Sequence, residues 1–195
     1  TYVAYRWDEM LDILALESHR AGAYVVGEDL GTVEDYMRDE LAARDILSYR
    51  LLWFEPRPPS EFPEKSLAAV TTHDLPTIAG VWSGKDLDEQ HELGLEPNVE
   101  GTAAIRHRLA GWAGVSDEAP VEQVVEGTYA LLAEAPSMIL TATLDDAALV
   151  EDRPNIPGTV EERPNWSLAL PVTLEELEEC PTAAAIARAL NRVTP

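Results

Sequence analysis

Glu28-Asp29, Glu55, His73-Asp74 and Asp145-Asp146 each close a short apolar or β-branched run, and these acids are where the chain could do chemistry. Cleavage of a glycosidic bond needs one protonated carboxyl to give the leaving oxygen a proton, and ionised carboxylates to stabilise positive charge at the sugar carbon. Glu28 and Asp74 suit that division of labour. The same strand-end acids could instead ligate a divalent metal, as in a metal-dependent hydrolase, or form structural salt bridges. Spacing alone leaves all three readings open.

The elements that must position these acids follow from the hydrophobic pattern. Runs over 23–29, 48–55, 67–74 and 138–146 read as short buried strands, with helical patterns between them. Such alternation predicts parallel strands covered on both faces, whose carboxyl ends converge on one rim. In α/β barrels that rim carries the active site. Met10, Leu11, Leu14 and Ala15 follow Asp8 at helical spacing and predict an amphipathic helix ending near Gly22. A polar-faced helix over 33–44 completes a βαβ unit, and Pro56, Pro58, Pro59 and Pro63 force an extended connection beside Glu55. Thr77 reads as the N-cap of a helix over 78–83. Further helices are expected over 86–93, 98–112 and 121–133, then around 174–179 and 183–192.

A complete eight-stranded barrel takes about 250 residues; this chain has 195, of which 46% are hydrophobic. Four strands fit half of such a barrel. Because the chain opens on Thr1 with an apolar Tyr2-Val3-Ala4-Tyr5, it reads as cut from something longer. Net charge is −22, from 14 Lys and Arg against 36 Asp and Glu, which disfavours nucleic acid and anionic membranes as partners. A neutral carbohydrate meets no such repulsion. No apolar run approaches the roughly 18 residues of a membrane span. Cys180 is the single cysteine, so no intrachain disulfide forms and a cytoplasmic setting is the default. No internal repeat occurs, and a single unit over 1–195 is expected.

Three motifs in order then narrow the reading. Val26-Gly27-Glu28-Asp29-Leu30-Gly31, Thr71-Thr72-His73-Asp74-Leu75-Pro76-Thr77, and Asn155-Ile156-Pro157-Gly158-Thr159 with Asn165-Trp166 resemble the 4-α-glucanotransferases of glycoside hydrolase family 77, the amylomaltases or disproportionating enzymes. The resemblance runs from Trp7-Asp8-Glu9 to Trp166. It implies the C-terminal half of a (β/α)8 TIM barrel, strands five to eight, with a helical insertion over about 84–135 and C-terminal helices over about 173–193.

By that resemblance Glu28 is the general acid/base, and Asp29 helps hold the substrate or the catalytic group. Asp74 grips sugar hydroxyls and stabilises the transition state, His73 hydrogen-bonds the same sugar, and Asn155 contacts bound glucan. An acid at position 28 must stay protonated long enough to act, which calls for an enclosed site with negative charge around it. Asp29 stands apart, since alternate strand residues point opposite ways and only a local turn would let both acids face the cleft. Trp166 reads as a sugar platform or as a packed aromatic, Asp146 as structural, and Trp53 and Trp82 as core. No metal and no cofactor is implied; the partner is maltodextrin or another α-1,4-glucan.

The family's covalent nucleophile is an aspartate in an Arg-Ile-Asp-His type motif at the end of the fourth strand. That motif does not occur in the 195 residues. A retaining mechanism needs nucleophile and acid about 5–5.5 Å apart, so the chain alone is expected to be inactive. Half a barrel also exposes strand edges and an apolar flank, so self-association of the isolated chain is expected. A non-catalytic glucan-binding or structural fragment is the alternative from another class.

Overall fold

The structure, a computed structural model, describes Val3 and residues 5–192, apart from the Asp35 side chain. Thr1, Tyr2 and Ala4 of the apolar start, and residue 193 of the expected terminal helix, lie outside the described residues.

Four strands, β1 (Val26–Gly27), β2 (Leu47–Leu51), β3 (Ser66–Ala69) and β4 (Ile139–Leu140), form one sheet in the order β1-β2-β3-β4. All three pairings are parallel. Helix α1 (Trp7–Ala21) precedes β1, and α2 (Asp35–Ala43) connects β1 to β2. Between β3 and β4 lie α3 (Ile78–Ser83), α4 (Lys85–Glu92), α5 (Val99–Ala113) and α6 (Val121–Leu132); α7 (Leu144–Ala147), α8 (Leu174–Glu178) and α9 (Pro181–Leu190) follow. The expected α/β half-barrel arrangement is therefore present.

The strands are shorter than the apolar runs. After Leu51 the backbone folds into a turn, with the N–H groups of Phe54 and Glu55 both donating to Leu51 O. At β4 the departure is larger, because Thr143 accepts the Asp146 N–H through its side chain and starts α7. Asp145 and Asp146 thus sit on a helix rather than on the strand tip expected for them.

Register divides the sheet into two faces. Parallel partners share a side, so Gly27, Ser48, Arg50, Ser66, Ala68 and Leu140 face one way. There Ala68 joins Leu52, Trp53 and Val70 in the main core, packed against Ile78, Val81, Leu109, Val125, Tyr129 and Leu132 from the helices. Both Trp53 and Trp82 are buried in it, as expected. The opposite face carries Val26, Leu47, Tyr49, Leu51, Leu67, Ala69 and Ile139. A closed barrel fills that space with side chains from every strand; here Tyr49, Leu67 and Ile139 stay half-buried.

The helix α1 forms where its spacing predicts and stops at Gly22, whose φ of 62° supplies the left-handed turn that frees the chain to enter β1. None of its residues is buried, and Met10 and Ile13 stand exposed. Its contacts are lateral: Trp7 meets Tyr36 of α2, and Arg44 bonds Asp12 at 2.7 Å.

Candidate functional site

The two acids after β1 part company. Strand alternation carries Glu28 to the side of Val26 and Tyr49, and sends Asp29 to the helix-covered side. Glu28 is exposed. Burial, and after it the Glu28 charge, push the Tyr49 hydroxyl pKa up, which places this phenol in the acid's field. The enclosure expected around Glu28 is not built by these residues.

Asp29 is only 3% exposed and fully engaged. Its Oδ1 accepts the Tyr49 backbone N–H at 2.9 Å, while Oδ2 lies 3.3 Å from Arg38 Nε and 3.4 Å from Arg50 Nη2. Arg50 also reaches Glu55 at 3.3 Å. The carboxylate therefore ties the end of β1 to β2 and α2, and its bonds hold Glu28 from the neighbouring position. Gly27 permits the close approach this needs, since a Cβ there would stand 2.9 Å from Leu41 Cδ1.

A second cluster stands beyond β3. The main chain there is held by Leu75 N–H to Thr72 O at 3.1 Å, and by Pro76 O, which accepts from both Thr71 Oγ1 and Trp53 Nε1. Thr77 then caps α3 as expected, taking the Gly80 N–H at 3.0 Å. On this frame Asp74 Oδ1 accepts from Asn155 Nδ2 at 2.6 Å, and Asp74 Oδ2 lies 3.5 Å from His73 Nε2. The His73 ring centroid is 5.0 Å from that of Trp166. His73, Asp74, Asn155 and Trp166 are thereby brought together. Glu28 stands on the same rim, two strands away from β3, a lateral step of about 10 Å at about 4.8 Å per strand.

Arg153 and Arg163, which sequence reasoning passed over, hold the loop between α7 and α8 in place. Arg153 Nε bonds Asp86 Oδ1 on α4 at 2.7 Å, and its Nη1 donates to Asp74 O at 3.1 Å. Arg163 Nε reaches Glu89 Oε1 at 2.7 Å, with Nη2 on Arg153 O at 2.6 Å. Asn165 staples the loop from within, accepting from Ile156 N–H and donating to Thr159. The visible signal was a pair of arginines in a proline-rich loop, matched by acids one helical turn apart on α4.

Asp146 is completely buried; it accepts from Ile78 N–H at 2.9 Å and from the Tyr129 hydroxyl at 2.8 Å. It anchors the start of α3, in keeping with the structural role expected. Among the described residues no three His, Cys, Asp or Glu side chains converge so as to hold a metal ion, and no helix is long and apolar enough to cross a membrane.

A parallel sheet backed by helices, with acids just past the carboxyl ends of its strands, has the α/β architecture of part of a barrel. Residues 1–173 match the model of glycoside hydrolase family 77, 4-alpha-glucanotransferase, and the chain belongs to that family. A 4-alpha-glucanotransferase of Mycobacterium tuberculosis is 38% identical over 221 residues, covering 100% of this chain and 30% of its own length. Its Haemophilus influenzae counterpart is 31% identical over 188 residues, covering 85% of this chain and 27% of its own. The crystal structure of amylomaltase from Corynebacterium glutamicum superposes with a TM-score of 0.86 at 30% identity, over 98% of this chain and 32% of that one. An amylomaltase from Streptococcus agalactiae in complex with acarbose shares the fold, with a TM-score of 0.63 at 19% identity over 97% of this chain and 35% of that one. This chain thus spans about 30% of the length of the curated relatives it matches.

Proposed function

We propose that the chain is the acid/base-bearing part of a retaining 4-α-glucanotransferase that moves α-1,4-glucan segments between maltodextrins. The observation that carries this reading is the shared rim: Glu28 after β1, and the His73–Asp74–Asn155 cluster after β3, in a chain of family 77. On this reading β1 to β4 are strands five to eight of the barrel.

A nucleophilic carboxylate outside these 195 residues attacks the anomeric carbon and breaks its bond to the glycosidic oxygen, as Glu28 protonates that oxygen. The glucosyl-enzyme then reacts with the 4-hydroxyl of an acceptor glucan; Glu28 takes the hydroxyl proton, and the carboxylate leaves. Asp74, oriented by Asn155, stabilises the positive charge at the sugar ring, and His73 shares that sugar's hydroxyls. Asp29 acts as a positioning residue, in keeping with its complete engagement by Tyr49, Arg38 and Arg50. A lone cysteine suits a reducing cytoplasm.

Incubation with maltotriose tests the reading. The full-length protein that carries this chain should yield glucose and longer maltodextrins, unchanged by a chelator, and the 195-residue chain alone should yield none. Release of glucose without longer products assigns hydrolysis instead, and loss of activity on chelation assigns a metal-dependent enzyme. The exposed apolar residues of α1 also support self-association of the isolated chain, which sedimentation at micromolar concentration measures.

A further inference from the structure

Trp166 combines two features that the carboxylate chemistry does not use. Its φ is 61°, in the left-handed region that bulky residues rarely adopt. The residue is nevertheless 64% exposed. Backbone strain of this kind persists only where the surroundings impose it, and an exposed indole recovers little of that cost through burial. Packing alone gives no reason for a tryptophan here.

The loop imposes the conformation. The Trp166 N–H donates to Pro154 O at 2.9 Å, and the preceding Asn165 is fixed by Ile156, Thr159 and Arg163. So held, the indole meets the His73 ring at 5.0 Å between centroids, with the planes inclined at 52°. The two rings make a corner. Its His73 side continues into Asp74, 3.5 Å away, and Asp74 in turn holds Asn155. An apolar ring face, an imidazole edge, a carboxylate and an amide therefore follow one another along the rim.

The geometry points to Trp166 as an aromatic platform for one glucose ring of a bound glucan, placed so that the ring's hydroxyl edge meets His73 and Asp74. A pyranose offers an apolar C–H face and a rim of hydroxyls, and this corner presents the complement of each. The ligand is neutral, so the net charge of −22 does not oppose it. This inference rests on the α-glucan reading above and adds a binding residue to it.

Two substitutions in the full-length protein that carries this chain separate ring from strain. Trp166→Gly removes the indole and relaxes the positive φ; Trp166→Phe keeps an aromatic face at the same backbone cost. With maltotriose to maltoheptaose as substrates, Trp166→Gly should raise KM about tenfold without lowering Tm, while Trp166→Phe stays within about threefold of the parent. A wild-type KM for Trp166→Gly across the series overturns the platform. So does a fall in Tm and kcat with KM unchanged, which makes the residue structural. If the unsubstituted protein disproportionates no maltodextrin, the α-glucan reading fails and takes this inference with it; normal turnover with an unaltered KM in Trp166→Gly removes the platform alone.

Discussion

Asn155 donates its side-chain N–H to Asp74 Oδ1 across 2.6 Å, joining residues 81 positions apart in the chain. A hydrogen bond to a charged acceptor contributes about 1.5–3 kcal/mol, and this one fixes the orientation of the acid assigned to the sugar. Asn155→Ala in the full-length protein should therefore lower kcat/KM for maltotriose about 10- to 100-fold. Asn155→Asp should be worse, because it sets a second carboxylate against Asp74. Steady-state kinetics of the two variants decide it: equal, small effects would detach Asn155 from the function of Asp74.

Asp29 is expected to act on stability before it acts on turnover. Asp29→Ala leaves the Tyr49 N–H without its acceptor and takes the carboxylate from Arg38 and Arg50. Breaking a buried pair costs about 3–5 kcal/mol, and partial exposure of both guanidinium groups lowers that to about 2–3 kcal/mol. Asp29→Asn, which keeps an acceptor for Tyr49, should lose about half as much. Urea denaturation of the full-length variants measures both, and a neutral Asp29→Ala would contradict the positioning role.

These contrasts show which relationships a sequence carries. Thr77 and the helix it caps were legible because capping and helix onset are local, and α3 begins and ends at the residues expected. The four strands and their order were legible because parallel strands buried on both faces leave continuous apolar runs. Asp146 was misplaced on a strand tip: the run from Met138 does not reveal that Thr143 will cap a new helix. The divergence of Glu28 and Asp29 followed from alternation, but which acid faced the helices depended on register. Arg153 and Arg163 gave no periodic signal, since their partners Asp86 and Glu89 are 67 and 74 residues away. The exposed flank of α1 lies at the other extreme: its amphipathic pattern was plain, yet nothing in the described residues covers it.

The Arg153–Asp86 pair should be the costliest of the loop's anchors to break singly. Side-chain exposures of 8% and 2% put both charges out of water, 2.6 Å apart. Removing either partner strands the other, so Asp86→Leu or Arg153→Met should cost about 3–5 kcal/mol. The double variant Arg153→Met with Asp86→Leu should regain most of that. Its activity should not return, because Arg153 also donates to Asp74 O and helps orient that acid. A double-mutant cycle in stability, run beside maltotriose kinetics, separates the two roles. Recovery of both quantities together would show that Arg153 serves packing alone.

Asp146 links stability to pH with a defined sign. Burial raises its pKa above the ordinary 3.8, opposed in part by the bonds from Ile78 and Tyr129. The folded chain therefore keeps this proton at a pH where the unfolded chain has lost it. The associated stabilisation is complete below about 3.8 and disappears as pH rises through the folded-state value. Asp146→Asn cannot ionise and retains an acceptor for the Ile78 N–H, so it lacks this dependence. Relative to the parent it should gain stability as pH rises from about 3.8 toward neutrality. Asp146→Ala, which leaves the Ile78 N–H and the Tyr129 hydroxyl unpaired, should instead lie about 3 kcal/mol below Asp146→Asn at every pH. Thermal unfolding of the three proteins across that range reads the slope directly, and a stability of Asp146→Asn relative to the parent that stays flat or falls with rising pH would mean that burial does not govern this carboxyl.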